Sequence, residues 1–129
     1  MTIAIVCVIL AAFLPIIAAG IAKFGPSENT GSAPYDNNQP REWLAKQTGL
    51  RARANAAQAN TFESLPFFYV AIAIAMILQA PQARIDALAI GYLLARVAYI
   101  ACYVMDWANL RTMVWLVGFA CTVALFFQI

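Results

Sequence analysis

The sequence predicts an all-α integral membrane protein, a four-transmembrane-helix bundle, and three observations carry that reading. Of the 129 residues, 64% are hydrophobic and only 11% charged, with a mean hydropathy of +0.75. A soluble domain carries about a quarter of its residues as Asp, Glu, Lys or Arg, so most of this surface must face lipid. Second, four apolar runs approach the roughly 20 residues that a helix needs to cross about 30 Å of hydrocarbon. Third, polar residues are concentrated in one long loop, and the first and fourth spans hold no charge.

The first span is expected at about 2–22 and holds no charge. A signal peptide would need a basic start, which is absent, and a shorter apolar stretch, so the run reads as a retained span. Pro15 inside it is expected to kink rather than break the helix, as proline does in membranes. Residues 23–47 contain Gly, Pro, Asn, Ser and half of the acidic residues, so they read as a polar loop with a short helix near Arg41–Lys46. A second helix is expected from about Thr48 to Ala80, stopped by Pro81, with its membrane part at 62–80. The third and fourth spans are expected at 85–105 and 112–127, joined by the polar link Asp106–Arg111. Backbone polar groups find no water in lipid, which makes all four spans helical. The whole chain, 1–129, then forms one membrane domain.

Basic residues in the connections orient the bundle. Lys23, Arg41, Lys46, Arg51, Arg53 and Arg111 fall on one side and only Arg84 on the other. The large first loop should be cytoplasmic and both termini on the far side, in a bacterial inner membrane. A net charge of +2 without a Lys/Arg run speaks against nucleic acid as a partner. The chain has no histidine, and Cys7, Cys102 and Cys121 are isolated, so no metal centre is expected.

The polar residues sort by helical spacing. Arg53, Asn60 and Glu63 share one face of the second helix, while Gln58 points elsewhere. On the third, Tyr92, Arg96, Tyr99 and Tyr103 follow a 4, 3, 4 spacing and form one stripe. Arg96 falls near mid-membrane, where an arginine costs about 2.5–3.5 kcal/mol on insertion scales, so it should face the interior and find a partner. That partner is an acid or a carbonyl, and Glu63 could supply it. A plain buried ion pair fixing helix register would explain those two residues alone. Together with Arg53, Asn60, Tyr99, Tyr103 and Arg111 they could instead line one cleft. Its three arginines against one glutamate suit an anionic ligand.

The run Arg53-x4-Gln58-x-Asn60-x2-Glu63-x2-Pro66 resembles the second-helix signature of the MAPEG family, the membrane-associated proteins in eicosanoid and glutathione metabolism. Arg96-x2-Tyr99-x3-Tyr103, followed by Leu110-Arg111-Thr112, resembles the family's second signature, and the member it suggests is a bacterial-type microsomal glutathione transferase. The resemblance covers the chain and implies a homotrimer that binds glutathione between subunits at the cytoplasmic end. By position, Asn60 and Glu63 would hold the tripeptide backbone, Glu63 at its α-amino group. Arg53 and Arg96 would lie near its carboxylates, and Tyr99 and Tyr103 would pack on it. Arg111 would stabilise the thiolate with Thr112 beside it.

The chemistry is consistent with that assignment. A free thiol has a pKa of about 8.5 and reacts as the thiolate. A guanidinium stays charged in a low-dielectric site and can favour that form without exchanging a proton. In one respect the chain departs from the pattern: Ala56 stands where many members carry a second arginine. Arg51 points to another side, while Arg41 or Lys46 from the loop could compensate.

The expected activity is a glutathione-dependent transferase or peroxidase acting on lipophilic electrophiles or lipid hydroperoxides, with glutathione as co-substrate. The alternative is a non-catalytic membrane protein that binds a lipid or a protein partner. A small four-helix exporter of cations fits poorly, because the first span has no acidic residue and the cluster is positive.

Overall fold

A computed structural model describes residues 1–127, and five helices account for most of them. These are α1 (Ile3–Phe24), α2 (Pro40–Ala45), α3 (Gly49–Ile77), α4 (Gln82–Val104) and α5 (Ala108–Phe126). All but α2 are long and apolar enough to cross a membrane. The 29 residues of α3 correspond to roughly 43 Å of helix, more than the hydrocarbon core, so its polar first turns project beyond it. Both α1 and α3 run through an internal proline, Pro15 and Pro66 respectively, without interruption.

Element ends differ from the sequence reading by a few residues, each for a local reason. α3 stops at Ile77, where Gln79 turns with a positive φ of 54°, ahead of Pro81. α4 then begins at Gln82 with Pro81 as its N-cap, three residues before the apolar run at Ile85. α5 starts at Ala108, just after Asp106 takes a φ of 62°.

Packing follows residue size more than hydrophobicity. Lipid tails are as apolar as leucine, so close van der Waals fit and interhelical hydrogen bonds replace the aqueous hydrophobic effect. α1 therefore buries its small residues, Ala4, Cys7, Ala11, Ala18 and Ala22. It packs on α3 and α4, while Ile9, Phe13, Ile16 and Ile17 stay on the outside. α3 answers with Ala54, Ala57, Ala71 and Ala75, and with the larger Leu65 and Phe68. α4 packs chiefly on α5, and Gly118 admits the Ala95 methyl at a distance an added Cβ would narrow to 3.3 Å.

Polar bonds tie the ends. Asp86 of α4 accepts a hydrogen bond from the Ala4 amide (2.8 Å), satisfying one of the four orphan N–H groups of the first turn of α1. At the opposite end the first loop is folded onto the bundle. Trp43 of α2 is buried, and its indole N–H donates to the Ala33 carbonyl (3.2 Å). The Tyr35 ring meets both Trp43 and Phe24 edge-on, with Lys23 over Tyr35 and Arg51 over Trp43. A stretch read as an irregular polar loop is therefore held by a small aromatic core capped with cations.

Candidate functional site

The third-helix stripe is real and mostly hidden. Tyr92, Arg96 and Tyr99 are 2%, 4% and 5% exposed, so α4 turns this face inward along its length. Arg96 finds its partner on α3, but the partner is Asn60. Both terminal nitrogens of Arg96 donate to Asn60 Oδ1 (2.9 and 3.1 Å), and Nη2 also reaches the Asn60 carbonyl (3.5 Å).

The plain ion pair with Glu63, one of the two readings of these residues, is not formed among the described residues. Among the described residues the ion pairs are Lys46–Glu42 and Arg53–Glu28, and Glu63 lies on the exposed side of α3. The reason is register. Asn60 and Glu63 are about 60° apart around the helix, and only Asn60 comes within hydrogen-bond distance of Arg96. A neutral amide oxygen accepts from both terminal nitrogens of the guanidinium but brings no opposite charge.

From Arg96 a chain of cation and ring contacts climbs α4 to α5. The Arg96 guanidinium carbon sits 4.7 Å from the Tyr99 ring centre. Tyr99 meets Tyr103 edge-on at 5.6 Å, and Arg111 lies over Tyr103 at 4.2 Å. Contacts of this kind contribute about 0.5–2 kcal/mol each, more where water is excluded. Four of the sequence-designated residues thus form one connected strip, with Asn60 attached at its deep end.

Two designated residues are engaged elsewhere. Arg53 Nε donates to the Val104 carbonyl at the end of α4 (3.2 Å), and its Nη2 donates to Glu28 in the first loop (3.2 Å). The Thr112 hydroxyl donates to the Ala108 carbonyl one turn back (3.2 Å) on the exposed side of α5. Nor does Arg51 replace the arginine missing at 56. Its Nε donates to Gly25, its Nη1 to Gln47, and its guanidinium covers Trp43.

A cavity of about 200 Å³ opens beside the deep end of the strip. Asn60, Glu63 and Arg96 give it polar walls, joined by Ser64 and Tyr92, and Phe67, Trp115, Phe119 and Thr122 complete it. Ser64 donates its one proton to the Thr61 carbonyl (2.9 Å). Tyr92, whose hydroxyl is 2.8 Å from Ser64 Oγ, is therefore the donor of that pair. Tyr92 is also fixed by face-to-face stacking on Phe68, 3.8 Å between centres. Trp115 and Phe119 stack at 5.3 Å and Phe119 on Phe67 at 5.9 Å, making an aromatic wall that continues to the outer surface.

Ser64 and Trp115 were open to inference, since Ser64 follows Asn60 by four residues and Trp115 follows Arg111 by four. Glu28 was not, because nothing in a loop sequence says which carboxylate returns to the bundle. Gln58 has a buried side-chain oxygen with no hydrogen-bond partner among the described residues. No group of three or more His, Cys, Asp or Glu among those residues could hold a metal ion.

The molecule is thus an integral membrane four-helix bundle with an arginine–tyrosine strip and an aromatic-walled cavity. The chain belongs to the MAPEG family, whose sequence model matches residues 3–129. Membership places it among membrane proteins of glutathione and eicosanoid metabolism. No curated protein and no solved structure matches the chain.

Proposed function

We propose that the protein is a glutathione-dependent transferase or peroxidase acting on lipophilic electrophiles or lipid hydroperoxides within the membrane. The observation that carries this reading is the strip Asn60–Arg96–Tyr99–Tyr103–Arg111. From Arg96 to Tyr103 is seven residues of helix, about 10 Å, close to the reach of an extended tripeptide. Glutathione laid along it would place its γ-glutamyl end at Asn60 and Glu63, where the exposed Glu63 carboxylate is available for an α-amino group. Its thiol would lie toward Arg111, whose permanent charge favours the thiolate.

The second substrate arrives from lipid, and the aromatic wall of the cavity offers it an apolar surface. In this reading three copies assemble with glutathione held between neighbours, which would cover the charged Glu63 that one chain leaves exposed. The loop side is cytoplasmic, as the distribution of basic residues directs.

A second reading has a specific support. Ala56 removes a cation from the carboxylate-binding side, while the cavity keeps a buried arginine and an aromatic wall, features that suit a lipid carboxylate. A non-catalytic lipid-binding or partner-binding member would show those traits.

Equilibrium binding of glutathione to the detergent-purified protein separates the two. The transferase reading expects saturable binding, weakened by Glu63→Gln, and thiolate absorbance near neutral pH that Arg111→Ala removes. Conjugation of a chlorinated aromatic test compound should accompany it. Absence of glutathione binding at millimolar ligand ends that reading. Fatty-acid binding without thiol turnover establishes the other.

A further inference from the structure

The geometry points to an internal mask: the protein's own Glu28 occupies Arg53, which the resemblance puts near a glutathione carboxylate, together with the Leu50 amide. This inference rests on glutathione being the ligand and concerns how its glycine end is admitted.

Glu28 leaves the first loop and lays one oxygen against two donors. Oε1 accepts from the Leu50 N–H (3.0 Å) and from Arg53 Nη2 (3.2 Å). Leu50 lies in the first turn of α3, where amides have no helical partner and the helix dipole favours an anion. The guanidinium is aimed by its other bond, from Nε to the Val104 carbonyl, which leaves Nη2 facing the loop. A carboxylate thus sits on a cation and a helix N-terminus together, the donor set that an incoming carboxylate would use. Here the side chain of Glu28 stands in for that ligand group.

Two further features show that the contact is built in. Gly49 has a φ of +60°, and a Cβ added there would collide with the Glu28 carboxylate, so the helix start has been kept bare beneath it. Asn29, the next residue, donates from Nδ2 to Thr48 Oγ1 (2.6 Å) and fastens the same loop segment to the same helix end. Yet the pair stays open to solvent, with Glu28 52% and Arg53 25% exposed. Exposed ion pairs are weak, and a competitor can displace this one without unfolding anything.

The direction of the ligand fits. With the α-amino group of glutathione at Glu63, the glycine carboxylate extends up the strip toward the loop end, where Arg53 lies two turns above Asn60. With alanine at 56, Arg53 is the cation α3 offers at that level. Its masking makes Glu28 a competitor for the ligand and the first loop a latch.

Glutathione and its glycine ethyl ester are titrated into the wild type and Glu28→Gln, both as purified full-length protein. Glu28→Gln should bind glutathione about two- to fivefold more tightly, the range expected from losing one exposed ion pair. It should bind the ester no better than the wild type does. Equal or weaker binding of glutathione would overturn the latch and leave Glu28 a helix cap. Should Glu28→Gln fail to fold, Glu28→Asp, one methylene shorter, should give a smaller gain of the same sign.

Glutarate, a thiol-free dicarboxylate, tests the mask without glutathione. It should speed trypsin cleavage after the exposed Lys46 in the wild type. In Arg53→Ala, cleavage should be fast from the start and unresponsive to it. No acceleration in the wild type overturns the proposal. If no variant binds glutathione while glutarate opens the loop, the glutathione reading fails and the latch stands.

Discussion

Arg96 and Arg53 are the same residue type in the same bundle, yet the molecule treats them in opposite ways. Arg96, in the middle of α4, is 4% exposed, donates to an uncharged amide, and lies against Tyr99. Arg53, at the polar start of α3, is a quarter exposed and pairs with a loop carboxylate. Depth explains the difference. In the interior a second full charge would have to be desolvated as well, and the attraction between the two need not repay it. At the rim, water reduces both the cost and the strength of the pair. Fixed polarity therefore belongs to the deep end and exchangeable charge to the rim.

The largest expected effect is at the rim, on chemistry. Arg111 touches Tyr103 and is half-buried, so Arg111→Ala should leave the fold intact. Loss of one preorganised group that stabilises developing charge lowers turnover by about 10²–10³-fold. Glutathione turnover at saturating second substrate reads it, with the melting temperature as control. An unchanged rate would move thiolate stabilisation from Arg111 to another cation.

Next comes the deep pair. Asn60→Ala leaves a buried guanidinium without its main acceptor, and a buried polar group left unpaired costs about 1–3 kcal/mol. Adding Arg96→Met to the same chain should restore part of that loss, because the charge leaves with its partner. Thermal melts in one detergent give the cycle. If Asn60→Ala proves as stable as the wild type, another group satisfies Arg96 and the contrast between deep and rim arginines collapses.

This contrast also marks what the sequence could and could not say. The four spans, the α4 stripe and the buried arginine were legible because period and hydropathy report which face a residue occupies. Which residue of α3 meets Arg96 was left open by the sequence, with Glu63 one candidate, and the structure uses Asn60. Three residues of spacing put Glu63 near Asn60, but a turn of about 60° lets only Asn60 bond Arg96 and leaves Glu63 exposed on the cavity wall. The loop fold was illegible for a different reason. Trp43 finds Ala33 and Arg51 finds Gly25 through tertiary contacts that carry no period. Glu28 meets Arg53 across 25 residues, a pairing of the same kind.

Gly49 tests that loop pairing at a smaller scale. Gly49→Ala must adopt a left-handed backbone, which costs about 1–2 kcal/mol, and its methyl would push against Glu28. The melting temperature should fall modestly and the loop should become easier to cleave at Lys46. A drop in melting temperature with an unchanged cleavage rate would mean that Glu28 moves aside while the loop stays shut.

The smallest effect is expected at Thr112, and it is informative because the family resemblance places a hydroxyl beside the reacting sulfur. In the structure that hydroxyl is spent on Ala108, one turn back along its own exposed helix face. Bonds of this type stabilise a helix little, so Thr112→Val should change stability by no more than about 0.5 kcal/mol. Turnover should also stay within about twofold, since a group bonded to its own backbone has no proton left to offer the thiolate. A tenfold loss at unchanged melting temperature would show that Thr112 leaves Ala108 when glutathione binds. The rim would then rearrange at two points, Thr112 and Glu28, while Arg96 and Asn60 below them hold still.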